Sequence, residues 1–430
     1  MQVNSDRPMF YETVTTCEEC DFVHRVPRLQ QGERLRCEHC GHVLITLHKH
    51  AFARILGTGL SALLMLILAL SFSFLGFSVN GLERTVSLFN TLSVLLSQGY
   101  LMLGAIITLA LFVFPVVYLS SVLLLVASFR YPDRLRNIRR FCLRWLVVVQ
   151  PWLMVDVFLV GILVALVKLS SLADISFKLS FWAFCGYVLL LLKTVVLVDK
   201  RWFWNRVAGP SSDHPIVSGT AKQQGLIGCR FCGATLAGNA HHCDRCGHSV
   251  YSRRPRSVVF TVALLIAALI MYIPANVFPI METTFLGGTE PSTILGGVFV
   301  LWSMGSYPVA LIILFASVVI PLAKVVSLSW LCWQSCYPSR RLTSQKITLY
   351  RWTELVGRWS MIDVFVVAIL TSIVQMGQFM SILPGPAVLS FTAVIVLTML
   401  AAMAFDPRLL WDKDASRTQA QEGEACERDT

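Results

Sequence analysis

Met154-Val-Asp-Val-Phe-Leu-Val-Gly-Ile-Leu163 returns 207 residues later as Met361-Ile-Asp-Val-Phe-Val-Val-Ala-Ile-Leu370. The echo extends well beyond these stretches. Arg144-Trp145 returns as Arg351-Trp352, and Asp199-Lys-Arg-Trp-Phe-Trp204 returns as Asp406-Pro-Arg-Leu-Leu-Trp411. Self-similarity at a fixed offset marks a duplicated structural unit. In membrane proteins, the interface between or within such units is where a pathway is usually built.

The duplicated unit is a membrane unit. Of 430 residues, 55% are hydrophobic and only 14% charged, which would leave too much apolar surface facing water. Runs long enough to cross about 30 Å of hydrocarbon fall at 52–78, 99–129, 146–167 and 179–198, then at 257–280, 303–333, 360–382 and 386–405. The expected fold is an all-α polytopic membrane protein of two tandem, parallel four-helix domains, each preceded by a small zinc-ribbon module. The expected divisions are a first ribbon at 10–50, a first transmembrane domain at 51–205, a second ribbon at 225–252, a second transmembrane domain at 253–411, and a disordered tail at 412–430. The polar first fifty residues carry Cys17 and Cys20, so no cleavable signal peptide is expected before the first span.

Lys and Arg predict the orientation. Arg130, Arg134, Arg136, Arg139, Arg140 and Arg144 lie between the second and third spans, and Arg340, Arg341, Lys346, Arg351 and Arg358 fill the corresponding segment of the second half. The linker adds Lys200, Arg201, Arg206, Arg253, Arg254 and Arg256, whereas the other side offers little beyond Arg84, Lys168 and Lys178. The positive-inside rule then puts both termini and both cysteine modules in the cytosol. Loop arginines near anionic headgroups account for the net charge of +11 without a nucleic-acid partner.

Eight of the thirteen cysteines form two sets, Cys17-x2-Cys20 with Cys37-x2-Cys40 and Cys229-x2-Cys232 with Cys243-x2-Cys246. Tetrahedral thiolate coordination needs two tight turns that each present two sulfurs to one ion, and a two-residue gap supplies that turn. The reading is two structural zinc ions. Redox-active dithiols are the alternative, although each would need only one Cys-x-x-Cys, and ligand type alone leaves iron open. None of the nine histidines lies in a span, which removes haem ligation by paired intramembrane histidines.

Charged residues inside the bilayer are expensive and demand a partner or a function. Asp156 and Asp363 each lie twelve positions after an Arg-Trp pair, about 18 Å along a helix at 1.5 Å per residue. Lys324 reaches comparable depth from the neighbouring span and is expected to pair with Asp363. Ser317 lies two turns before Lys324, Pro321 between them should kink the helix, and Thr398 of the last span could complete a polar pocket. A buried ion pair that merely orients helices is the bland alternative to a substrate or proton path. The first half keeps Asp156 and Pro115 but has Val117 or Tyr118 where Lys324 stands, with Lys193 as a weaker partner that could simply snorkel. Lys168, Asp174 and Lys178 are read as a solvated outer loop. Two prolines and Asn276 in Ile273-Pro-Ala-Asn-Val-Phe-Pro-Ile280 should break the fifth span near the outer surface, where freed backbone faces protein or water. Leu82, Val86, Phe89, Leu92 and Leu96 fall at helical spacing, as an interfacial helix would.

Taken together, these residues resemble the paraquat-inducible protein A family. The likeness rests on two four-cysteine ribbons, two four-span domains, the Pro274-Ala-Asn-Val-Phe-Pro279 segment and the doubled Asp-Val-Phe, and it covers roughly residues 10–411. It looks closest to the lipophilic envelope-spanning tunnel protein A branch. The resemblance implies a non-enzymatic inner-membrane protein of a diderm bacterium, working with an MCE-domain protein whose rings form a hydrophobic periplasmic tunnel. Phospholipid movement between inner and outer membranes is the implied activity. No Gly-x4-Gly-Lys-Ser/Thr motif is present, so the energy would come from an ion or lipid gradient, with Asp363 as the natural proton-coupling group. A non-transporting anchor for the periplasmic partner is the competing function, and a membrane redox enzyme is the weakest. The first half reads Phe72-Ser-Phe-Leu-Gly-Phe77 instead of Pro-Ala-Asn, so the working site is expected in the second half.

Overall fold

The computed structural model describes residues 13–79, 82–88, 101–129, 135–169, 174–209, 219–285, 288–303, 305, 307–337, 343–373 and 380–412. Phe89, Leu92 and Leu96 and the tail after residue 412 lie outside them. Within the described residues the chain is mostly helical, and seven helices are long and apolar enough to cross a membrane. The duplication reaches down to single backbone angles. Both first spans, Ala51–Ser71 and Ser257–Val277, start from a left-handed residue, His50 at φ 49° and Arg256 at φ 54°.

Each second span is a helix interrupted by one π-helical segment. Leu101–Thr108 runs through Leu109–Val113 into Phe114–Ser128, and Tyr307–Leu314 runs through Phe315–Val319 into Ile320–Cys336. Pro115 and Pro321 follow these segments directly. A proline has no N–H and crowds the carbonyl four residues back, a conflict that a wider turn relieves. The kink expected at Pro321 takes this form.

Each third span departs from the continuous helix expected. In the first half Arg136–Val149 ends in a 3₁₀ turn at Gln150–Trp152 before Val155–Leu169 begins, because Pro151 cannot continue the ladder. In the second half Thr343–Trp359 gives way at Ser360 and Met361 to the twelve-residue helix Ile362–Ile373. The predicted span 360–382 therefore does not stay helical throughout, since Met380–Pro384 is already a strand.

That strand belongs to an addition the helical reading lacked. Met281–Phe285 pairs antiparallel with both Gly288–Ser292 and Met380–Pro384, and in the first half Leu75–Val79 pairs with Leu82–Val86 and Asp174–Phe177. Leu82 to Val86 is thus strand rather than interfacial helix, and the solvated loop read at Lys168 to Lys178 contains a paired strand. Nor does the fifth span break at Pro274. It continues to Val277, and the Asn276 side chain donates back to the Tyr272 carbonyl at 2.9 Å.

The repeated helices meet at the centre. From Val364 to Leu370 every residue is buried, and Phe365 meets Phe158 of the other half edge-on at 5.3 Å. A helix that is apolar on all faces must be covered by protein or by lipid, and here protein covers it. Gly161 allows the close approach, since a Cβ there would stand 3.1 Å from that of Phe365.

The two cysteine modules also join each other. Thr15 donates to the Gly233 carbonyl at 3.4 Å, Thr235 donates to Val14 at 3.2 Å, and Val14, Val23, Ala221 and Leu226 share a small core. Beneath them the repeated aspartates act as anchors. Asp199 accepts from the backbone N–H groups of Thr46, Arg201 and Trp202 at 2.7, 2.9 and 3.1 Å. Its counterpart Asp406, fully buried, binds Arg230 at 2.5 Å, Arg408 at 3.1 Å and the Arg254 N–H at 3.1 Å. Burial opposes the Asp406 charge, but Arg408 and Arg230 outweigh it and hold the carboxyl below its ordinary 3.8. Burial likewise pulls the Arg230 value down, yet a guanidinium keeps its proton throughout this range.

Two outcomes follow for stability. Gly161→Leu should cost about 2 kcal/mol, the scale of an overpacked core, and lower the melting midpoint in detergent, while Leu163→Ala on the exposed face leaves it unchanged. Equal midpoints for all three proteins would mean that the halves do not close on each other here. Asp406→Asn should cost about 3 kcal/mol at neutral pH, as removal of one partner from a buried ion pair does. Because the folded carboxyl titrates below 3.8, its stabilisation is complete above that value and drains away as pH falls through the folded value. Melting curves of wild type and Asp406→Asn should therefore differ at neutral pH and converge in acid; a gap that widens in acid contradicts the assignment.

Candidate functional site

Each cysteine set closes around one point. The Sγ atoms of Cys17 and Cys40, of Cys20 and Cys37, of Cys229 and Cys246, and of Cys232 and Cys243 are all 3.5 Å apart. That is far beyond a disulfide bond of about 2.05 Å and close to the ~3.8 Å edge of a tetrahedron with 2.3 Å metal–sulfur bonds. All four sulfurs in each set lie within 4.8 Å of one another. The knuckles hold themselves in this shape: Asp21 and Gly41 donate backbone N–H to the carbonyls of Cys17 and Cys37 at 3.0 and 2.8 Å, and Gly233 and Gly247 repeat the bond in the second set. The residue after each Cys-x2-Cys is left-handed, at φ 70° for Gly41, Gly233 and Gly247 and 62° for Asp21. Three of four are glycine because that region excludes most side chains, and aspartate is among the few tolerated there. Both clusters can hold a metal ion.

The clusters are tied crosswise to the spans. Arg144, on the first half's amphipathic helix, donates to the carbonyl of Cys246, while its repeat Arg351 donates to the carbonyl of Cys40 at 2.9 Å and pairs with Glu19. Each half thus grips the cysteine module that precedes the other half. Glu19 also meets His42 at 3.0 Å. Burial works against both charges, yet His42 and Arg351 hold the Glu19 carboxyl below its ordinary value and Glu19 raises the imidazole above its own.

Lys324 occupies the other distinctive site. It is 2% exposed, and its ammonium donates to Thr398 Oγ1 at 2.9 Å, the Gly357 carbonyl at 3.3 Å and Ser360 Oγ at 3.4 Å. The break in the third span creates two of these acceptors. A helix ending at Trp359 leaves its last carbonyls without intrahelical partners, at the end of the dipole that favours a cation. Ser360 gives its own proton to Gly357 at 3.0 Å and Thr398 gives its proton to Ile395 at 3.0 Å, so both hydroxyl oxygens face Lys324 as acceptors. Three donors meet three neutral oxygens, and among the described residues no carboxylate pairs with this charge. A cavity of about 340 Å³ adjoins it, lined by Val147, Gln150 and Lys200 from the first half and by Thr353, Glu354, Gly357 and Arg358 from the second, with Lys200 already paired to Glu18 at 2.7 Å.

Of the residues singled out from sequence, Lys324 and Thr398 come together, and Pro321 follows the π-helical segment in which Ser317 is buried. The Asp363 backbone lies in the central helix, and its side chain lies outside what is described. Asn276 bonds within its own helix. In the first half, Tyr118 takes the place of Lys324 and is buried, Asp156 is half-buried at the start of its helix, and Lys193 is exposed, with no ion pair between the latter two among the described residues. Lys178 is half-buried beside the outer sheet. Gly357 and Ser360 were missed because their role arises from a helix break, for which Gly357-Arg-Trp-Ser360 offered only one weak signal, the glycine.

The sequence profile of Paraquat-inducible protein A matches residues 52–208 and 260–414, once for each half. The Escherichia coli K12 protein named intermembrane transport protein PqiA is 39% identical over 399 residues, covering 92% of this chain and 95% of its own. The lipophilic envelope-spanning tunnel protein A of the same organism is 27% identical over 400 residues, covering 93% and 91%, and a probable intermembrane transport protein of Haemophilus influenzae is 26% identical over 407 residues, covering 93% and 95%. Identity is thus higher to the first than to the tunnel protein A branch that the motifs had suggested. No solved structure matches the chain. With both halves matched and nearly the whole length aligned, the chain belongs to the paraquat-inducible protein A family.

Proposed function

We propose that this protein is an inner-membrane subunit of an intermembrane lipid transport system, passing phospholipid between the inner membrane and a periplasmic MCE-domain tunnel protein. The observation that carries the reading is Lys324, a buried ammonium held by neutral oxygens beside a cavity whose wall also includes Arg358, Lys200 and one carboxylate, Glu354, so that cations outnumber acids there. A phosphate headgroup is the complement of such a site: it supplies the negative charge and accepts charge-assisted hydrogen bonds. The names of the relatives, intermembrane transport protein and envelope-spanning tunnel protein, support the transport role. The arginine-rich segments beside the cysteine modules support a cytosolic location for both modules and both termini, which leaves the two three-stranded sheets on the periplasmic side.

Within this reading the pathway comprises Lys324, Thr398, Ser317, Pro321 and Asp363. Asn276 lies at the outer end of its span, and Asp156, Lys193 and Lys178 have weaker claims. Asp363 is the group proposed to couple transport to protons. Each cysteine module holds one structural zinc ion, through Cys17, Cys20, Cys37 and Cys40 in the first and Cys229, Cys232, Cys243 and Cys246 in the second. Zinc would add no chemistry to transport. It would lock the knuckles whose carbonyls Arg144 and Arg351 grip.

The expected results are specific. Metal analysis of purified protein should find zinc at close to two ions per chain, matching the two clusters, and chelation should lower the melting midpoint; iron with a visible chromophore, or no metal, contradicts the assignment. Lys324→Ala should reduce lipid transfer about tenfold or more, the scale of a lost charge-assisted bond, with normal expression and zinc content. Asp363→Asn should abolish the response of transfer to the proton gradient. Full transfer by both variants would favour a non-transporting anchor for the periplasmic partner.

A further inference from the structure

The cavity beside Lys324 has a larger neighbour. About 740 Å³ opens in the crease between the second cysteine module and the spans Ser257–Val277 and Ala387–Ala404. That size lies inside the ~300–1,000 Å³ range of sites that enclose organic ligands. Its two ends differ in chemistry. Phe260, Leu264, Leu400 and Met403 form an apolar wall, whereas Arg230, Arg254, Arg408 and His248 line the end beside the module. Asp406 is the counter-charge there, already engaged by Arg230 and Arg408. Arg254 commits one guanidinium nitrogen to the Met403 carbonyl, leaving donors to spare. The crease also shares two residues, Val147 and Met403, with the Lys324 cavity. Those side chains are a common wall between the two spaces.

The duplication supplies an internal control. Phe260 and Leu264 correspond to Arg54 and Thr58 in the first half, and Leu400 corresponds to Lys193. Thr58 receives a hydrogen bond from Thr194 at 3.0 Å across the matching helix pair. Both helix pairs are joined by hydrogen bonds, in the second half from Ser257 to the Ala404 carbonyl at 2.8 Å, and the difference lies in the side chains: Phe260, Leu264 and Leu400 stand where the first half has Arg54, Thr58 and Lys193. The apolar crease and the buried lysine therefore occur in the same half.

We infer that this crease is a lateral doorway to the Lys324 cavity for a phospholipid. Its acyl chains lie along Phe260, Leu264 and Leu400, its phosphate meets Arg254 and Arg230, and it crosses the wall formed by Val147 and Met403. The inference rests on the proposed lipid-handling role of Lys324. Free phosphate shares the anionic chemistry but has no use for the apolar wall.

The test uses the full chain in nanodiscs of phosphatidylethanolamine and phosphatidylglycerol, with a trace of phosphatidylglycerol carrying a diazirine in its acyl chain, and adducts mapped by peptide mass spectrometry. Adducts should concentrate at Leu400 and Met403 and at Thr353 in the Lys324 cavity, above the background at lipid-facing Val259 and Ile270. The double substitution Phe260→Arg with Leu264→Thr, which installs the first half's chemistry, should reduce adducts at both places by about tenfold, because it places an unpaired charge in the acyl path. Zinc content and melting midpoint report whether that variant folds, and Arg254→Gln, which leaves the apolar wall intact, should independently weaken the preference for phosphatidylglycerol over phosphatidylethanolamine probes. Lys324→Ala should leave the Leu400 adducts in place. Adducts at Thr353 without any at Leu400 would overturn the doorway while sparing the Lys324 site; adducts at Leu400 without any at Thr353 would overturn both the connection and the reading it rests on. Loss of the Leu400 adducts on addition of inorganic phosphate would identify an anion site and overturn the lipid assignment.

Discussion

Two copies of one largely apolar helix pack against each other rather than standing apart in lipid, and in the second copy every residue from Val364 to Leu370 is buried. Val155–Leu169 and Ile362–Ile373 meet at Gly161, Phe158 and Phe365, and the rest of the molecule is arranged around that contact. Each copy is joined to an amphipathic helix carrying arginines, which cannot follow it into the centre. The element therefore breaks between its two parts. Breaks of this kind release backbone carbonyls that must find donors elsewhere.

In the second half the donor is Lys324. The carbonyl of Gly357 and the hydroxyl of Ser360 come from the break, and Thr398 completes the set from the last span. A structural necessity of the duplicated fold thereby becomes a receptor for a buried cation, which is itself suited to an anionic ligand. The first half breaks at the corresponding point with Tyr118 in the place of Lys324, and both halves join their first and last spans by hydrogen bonds. The two copies thus share a backbone plan and differ in the side chains placed on it.

The cysteine modules bind the two copies together at the opposite end from the sheets. Arg144 and Arg351 reach across to the last cysteine carbonyl of the module belonging to the other half, so neither module can shift without moving the opposite amphipathic helix. Those same helices end in the breaks that shape the Lys324 cavity, to which Val147, Gln150 and Arg358 all contribute. The cysteine knuckles and the Lys324 cavity are thus contiguous through about two helical turns.

Much of this was legible in the residues alone. Paired Cys-x2-Cys sets announce a tetrahedral thiolate site because only two tight turns can deliver four sulfurs, and a repeat at fixed offset announces two copies of one unit. Rise per residue is fixed in a helix, which matched Lys324 in depth with Asp363, while Thr398 was named only as a member of the same polar pocket. The outer sheets were hidden because their strands are only four or five residues long and the third strand of each lies whole spans away from its hairpin, so its pairing is decided by where the spans bring it. The helix breaks, and with them Gly357 and Ser360, were hidden because periodicity inside an apolar run does not distinguish one long helix from two short ones. Crossing of the arginines was the least legible feature: a duplicated sequence says that two equivalent contacts exist, but whether each is made within its own copy or across to the other depends on how the copies pack, which no local property of either copy encodes.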